Sequence, residues 1–154
     1  MFLHKLIPVE AISTSLNGKK KQEVIEEMVD LLCQSGKVTD REKVLESIMA
    51  REKTMSTGVG DGIAIPHGKS DGVTELTGAL GIQADGIDFE SLDGKPASII
   101  IALEATKDNP GPHIRALSKI SRLLKQKKFK DAIIKAGSPE KIHEAIKKWE
   151  LAEP

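Results

Sequence analysis

Residues 56–70 read STGVGDGIAIPHGKS, and the order of residues within this stretch decides the fold around it. Glycine recurs at Gly58, Gly60 and Gly62, after which Ile63-Ala64-Ile65 forms a short apolar run that meets Pro66. Proline has no N–H for a ladder and fixes its own φ, so the run predicts a strand that ends there. His67 then sits at a strand's end, where the chain turns away. Downstream, the run IIIAL at 99–103 is apolar without alternation. That pattern predicts a central strand covered on both faces, spanning 97–104. A partner strand is expected at 77–83, and the intervening ADGIDFESLDGKP has the Gly/Asp content of turns.

Working outward, residues 11–16 predict a first short strand closed by Asn17-Gly18. Residues 19–34 place Val24, Ile25, Met28, Val29, Leu31 and Leu32 at helical spacing, with Gly36 as the stop. Thr39-Asp40-Arg41-Glu42 has the spacing of a capping box, and Val44, Leu45, Ile48 and Met49 give the second helix its inner face. Pro112 predicts the start of a third helix running to about residue 126. Two further helices are expected at 129–136 and 138–149, the last capped by Ser138. The pattern is a single α/β domain over 1–154, a small mixed sheet flanked by helices on both faces.

The glycines invite phosphate-loop readings, and both fail. A Walker A loop ending in Gly68-Lys69-Ser70 requires glycine at position 63, which is Ile63. A dinucleotide fingerprint requires G-x-G-x-x-G after a strand, whereas Gly58 to Gly62 is G-x-G-x-G before one. His143-Glu144 is not HExxH either, because Lys147 stands four residues on. His143 lies beside the stripe of Ile142, Ile146 and Trp149 and reads as a surface residue; His4 has no partner visible in sequence.

His67 keeps two readings on spacing alone, a lone histidine in a turn or a nucleophile. An imidazole with an ordinary pKa of about 6.5 is largely neutral at pH 7, with one nitrogen free to attack phosphorus. The flanking glycines leave room for a close approach. His113 opens the third helix and shares a face with Leu117, Ile120 and Leu124. It is either a satisfied core histidine or part of an anion-favouring helix start.

With these residues in view, STGVGDGIAIPHGK resembles the active-site signature of the IIA component of the bacterial phosphoenolpyruvate-dependent sugar phosphotransferase system, fructose/mannitol type. The likeness extends to the AREK element at 50–53 and to HIRALSKISRLL at 113–124. The resemblance implies that His67 is phosphorylated by the phosphocarrier protein HPr and passes the phosphoryl group to a cysteine of a IIB component. It implies that His113 contacts the phosphate, that Arg51 belongs to the active site, and that Thr57 matches a family position. A guanidinium there makes chemical sense, since it bonds phosphoryl oxygens bidentately. The implied activity is that of a protein-histidine phosphotransferase in sugar uptake, requiring neither metal nor cofactor. A regulatory, nitrogen-related IIA paralogue is the alternative, and a non-covalent ligand-binding module a third class.

Composition narrows the partners. Lys plus Arg and Asp plus Glu are 23 each, so the formal net charge is zero, against the basic excess usual for nucleic-acid binders. The runs Lys19-Lys20-Lys21 and 125–130 read as solvated helix ends. Cys33 is the sole cysteine and falls on a helix stripe, reading as an inert thiol. MFLHKLIPVE is too short in apolar residues for a leader, and no run is long enough to span a bilayer. The expectation is a soluble cytoplasmic protein whose docking surface is apolar and surrounds His67.

Overall fold

The computed structural model describes residues 1–152. Its strands are β1 Ile12–Ser13, β2 Gly58–Gly60, β3 Ile63–Ala64, β4 His67–Lys69, β5 Thr77–Ile87 and β6 Ala97–Ala105. Its helices are α1 Leu3–Leu6, α2 Lys21–Cys33, α3 Arg41–Thr54, α4 Gly111–Leu124, α5 Lys127–Lys135 and α6 Pro139–Ala152. The strands form one mixed sheet in the order β1-β5-β6-β3-β2, with β4 also on β6.

β6 holds the fold together because both its faces are buried. Ile99, Ile101 and Leu103 join one core with α1, α4, α5 and α6; Ile100 and Ala102 join another with α2 and α3. The unbroken apolar run is thus explained: period-2 geometry sends alternate residues into two separate cores. Truncating a buried isoleucine such as Ile100 to alanine would cost about 2–5 kcal/mol.

Several elements depart from the sequence reading. β1 is shorter than 11–16, because Val9–Ala11 winds into a 3-10 turn behind Pro8. The α3 cap is Asp40, not Thr39: Thr39 N is tied to Gly72 O, and Asp40 Oδ1 accepts from Lys43 N. β5 runs on to Ile87 through a bulge, with Gly86 at φ +81°, where turns were expected. Pro112 is the second residue of α4 rather than the first. The glycine stretch 58–60, to which the sequence pattern assigns no element, is an edge strand antiparallel to β3.

Cys33 is half-buried, and burial followed by the Asp30 charge pushes its thiol up, which keeps it protonated. In the lysine runs, Lys19, Lys20, Lys125, Lys127 and Lys128 are exposed, as solvated helix ends should be, whereas Lys21 and Lys130 are engaged. Lys21 Nζ lies 3.6 Å from Glu52 and 3.4 Å from Glu90, and Lys130 Nζ donates to Asp61 O at 2.9 Å.

His143 is half-buried rather than on the surface: its Nε2 lies 2.6 Å from His4 O. His4 in turn pairs its Nδ1 with Glu150. The buried Glu150 carboxylate also accepts Leu3 N at 2.8 Å and His4 N at 2.9 Å, with Lys119 Nζ at 3.1 Å. One acid on α6 therefore caps α1 and ties it to α4. Burial alone would raise its pKa, but the His4, Leu3 and Lys119 bonds outweigh that and hold the carboxyl below its ordinary value. The depressed carboxyl stabilises the fold above the ordinary carboxylate range, and that stability is lost as pH falls through and below it. Glu150→Gln should cost about 2–4 kcal/mol at pH 7 in urea unfolding, with the gap to wild type narrowing as pH drops below the carboxylate range. An unchanged midpoint at pH 7 would remove Glu150 from this role.

Candidate active site

Pro66 interrupts the edge that β3 and β4 share on β6, yet the register is the same on both sides: Ala64 pairs with Ile100 and His67 with Leu103. Leu103 N donates to Pro66 O at 3.1 Å, so the proline still accepts although it cannot donate. His67 is thus the first residue of β4, not the end of β3 as the sequence suggested. Its side chain shares the face of Leu103, toward α4, and α4 brings His113 to it. The two rings lie 5.2 Å apart between centroids, inclined at 47°.

His67 Nδ1 lies 2.7 Å from Ile65 O. A carbonyl oxygen only accepts, so Nδ1 carries the proton and donates, leaving the Nε2 lone pair free. Burial lowers the pKa of this imidazole; the Ile65 bond opposes that, and the Arg51 charge lowers it further. His113 is 4% exposed, and its Nδ1 has no hydrogen-bond partner among the described residues. Burial, then the charges of His67 and Lys69, push its pKa down to about 4. Both rings are therefore neutral at pH 7.

The last turn of α3 fixes the backbone that carries His67. Glu52, buried there, accepts Thr57 N at 2.6 Å and the Thr57 hydroxyl, while Thr57 O accepts Ile65 N at 3.0 Å. A chain of bonds thus runs from α3 through Thr57 and Ile65 to the imidazole. Thr57 spends its hydroxyl on Glu52, which makes it a strut. Arg51, one residue earlier, donates from Nη1 to Met55 O at 2.8 Å and to Thr54 Oγ1 at 3.3 Å. It acts on His67 through its charge and makes no hydrogen bond to it.

The N-terminus of α4 has no side-chain cap. Four leading N–H groups of a helix lack internal acceptors, and here Pro110 and Pro112 have none to offer, which leaves those of Gly111 and His113. Sequence reasoning missed two contributors. Glu52 lay inside the AREK element but gave no sign of burial, and Lys69 acts on both imidazoles from beside Gly68. Among the described residues, no group of three or more His, Cys, Asp or Glu gathers to hold a metal, and no helix is long and apolar enough to cross a membrane. Beside the site, a groove of ≈ 180 Å³ is lined by Val59, Ile63, Ile65 and Leu124 together with Asp61, Ser121 and Lys125.

The family model for the phosphoenolpyruvate-dependent sugar phosphotransferase system, EIIA 2, matches residues 5–149. The chain belongs to this family. It is 38% identical over 146 residues to the fructose-specific EIIABC component of Bacillus subtilis, covering 95% of this chain but 23% of that protein. The chain thus spans about a quarter of that relative's length. It is 33% identical over 141 residues to the fructose-specific EIIA component of Haloferax volcanii, covering 92% of each. The nitrogen regulatory protein IIA-Ntr of Neisseria meningitidis superposes with a TM-score of 0.82 at 31% identity, over 94% of this chain and 98% of that one. The same fold occurs in the Escherichia coli complex of enzyme IIA mannitol with phosphorylated IIB mannitol, with a TM-score of 0.79 at 21% identity, over 92% and 97% of the respective chains.

In an NMR titration His113 should be half-charged near pH 4, with His67 also below the ordinary histidine range. Titration of His113 at an unperturbed value of about 6.5 would contradict its burial against His67.

Proposed function

We propose that His67 carries a phosphoryl group on Nε2, taken from phospho-HPr and passed to a cysteine of a IIB component during sugar uptake. The observation that carries this reading is the Nδ1–H bond to Ile65 O, which leaves Nε2 as the nucleophile beside His113. An N–P bond forms at Nε2 as the donor's N–P bond breaks, and the donor nitrogen keeps the electron pair. Positive charge then grows on the His67 ring, and the Ile65 carbonyl is placed to meet it. Onward transfer reverses the bonding: a thiolate attacks phosphorus and Nε2 keeps its pair.

In this reading His113 and Arg51 contact the phosphoryl oxygens. The free N–H groups of Gly111 and His113 add donors at the positive end of α4, an arrangement that favours anions. Arg51 would leave Met55 O to reach the group. The whole chain, 1–154, would work as one cytoplasmic IIA domain, a protein-histidine phosphotransferase that docks by the apolar surface around the groove. Family membership supports the chemistry, and the E. coli mannitol complex supports a IIB component as acceptor. Similarity to fructose-specific components supports the sugar branch.

A regulatory role, in which the phosphorylation state governs protein binding, is the second reading. It is supported by the likeness to the nitrogen regulatory protein. The two separate on the acceptor: a transport component loses its phosphoryl group to the thiol of a IIB domain encoded beside it, whereas a regulator has no such acceptor.

Incubation with phosphoenolpyruvate, enzyme I and HPr should raise the intact mass by one acid-labile phosphoryl group, and His67→Ala should abolish the gain. An unmodified wild-type protein would refute the proposal. His113→Ala should still be phosphorylated but transfer onward more slowly, by about tenfold to a hundredfold; complete loss of phosphorylation would assign it another part.

A further inference from the structure

Glu104 lies on β6, in register with Gly68, the residue after His67. It is a carboxylic acid with 0% exposure, facing α3 on the side of the sheet opposite the imidazole. Its Oε2 accepts from Ser47 Oγ at 2.6 Å. Its Oε1 has no hydrogen-bond partner among the described residues, and neither does Thr77 Oγ1 on the paired strand β5. Burial raises this carboxyl to about 7, against the opposing bond from Ser47. An apolar side chain here would avoid the cost of burying a polar group, so its presence calls for a reason beyond packing.

The reason lies in what the bond joins. Ser47 and Arg51 are one turn apart on the same face of α3. That helix rests directly on Gly68: a Cβ there would come within 2.5 Å of Ser47 Oγ, 2.8 Å of Glu104 Oε1 and 3.0 Å of Ile48 N. α3 thus touches the strand of His67 at the one residue without a side chain, and Glu104 grips it there. The geometry points to Glu104 as a positioning residue for phosphoryl transfer, holding α3 through Ser47 so that Arg51 stands at the correct distance from His67. Arg51 already acts on His67 through its charge from this position. The inference rests on the phosphocarrier reading given above. Without the tether the guanidinium would be displaced, and small misplacements of a charge-stabilising group are costly in rate.

The test is a double-mutant cycle on the full chain, reading the rate at which phospho-HPr phosphorylates His67 by intact mass. Ser47→Ala and Glu104→Leu should each slow the step by about tenfold, and in an Arg51→Ala background neither should slow it further. Glu104→Gln, which can still accept from Ser47, should recover most of the rate. An undiminished effect in the Arg51→Ala background would show that Glu104 acts by some other route and overturn the inference. So would wild-type rates in the single variants, or a Glu104→Gln protein as slow as Glu104→Leu. Should Glu104→Leu not fold, Ser47→Ala carries the cycle alone. Failure of the wild-type protein to accept phosphate is a separate result that strikes the phosphocarrier reading instead.

Discussion

Between Ala64 and His67 the shared edge of β6 loses one donor, because Pro66 has no N–H, yet the register continues unchanged. The rest of the site follows from this interruption. The chain stays on the sheet, so His67 is held by a ladder, and the break leaves room for its imidazole to turn back onto Ile65 O. That bond selects the tautomer. A continuous strand would hold a histidine as firmly but with its ring directed away from its own backbone; a free loop would let it rotate. The interruption needs β6 as a fixed template, and β6 is fixed because its alternate residues are sealed in separate cores.

How far this was legible follows from the range over which each feature is determined. The central strand declared itself through five consecutive apolar residues, and the helices through their period, because both patterns are local. His113 was placed toward the core from its stripe with Ile120 and Leu124, and it is buried there. Gly58–Gly60 escaped notice as a strand because its β character comes from pairing with β3, and glycine carries no signal of its own. α1 escaped because a four-residue helix has no periodicity to read; the Glu150 carboxylate, far along the chain, caps it. The exposure expected of His143 failed for the same reason, its partner being His4 at the other end of the sequence.

Glu52 and Glu104 show a second limit. Composition treats them as two of 23 acids, yet each is buried and bonded on α3's side of the site. One steadies the backbone leading to His67 and the other grips the helix that bears Arg51. A charge in sequence signals solvent by default, and nothing local marks the exceptions. Gly68 was the nearest available clue. Read first as room for the close approach of a partner's backbone or a phosphate, it proves to be space for α3.

On the phosphocarrier reading proposed above, the electrostatics suit a group that must be held and then given up. A phosphoryl group bound too tightly at Nε2 would be a trap rather than a relay, since only differential stabilisation between bound and transferring states speeds its passage. Several features keep the hold moderate. His113 is neutral at working pH and offers dipoles without a full charge. Two prolines remove half of the N–H donors that the start of α4 would otherwise present. Arg51, the strongest candidate partner for phosphate, is already bonded to Met55 O, so recruiting it costs a hydrogen bond that is regained on release. A carrier built this way gains most from Arg51 while phosphorus is in transit, when charge on the equatorial oxygens is greatest and a well-placed guanidinium is worth most. On that reading, where α3 sits would matter more to rate than to affinity, and a buried acid fixing that helix would serve the chemistry as well as the fold.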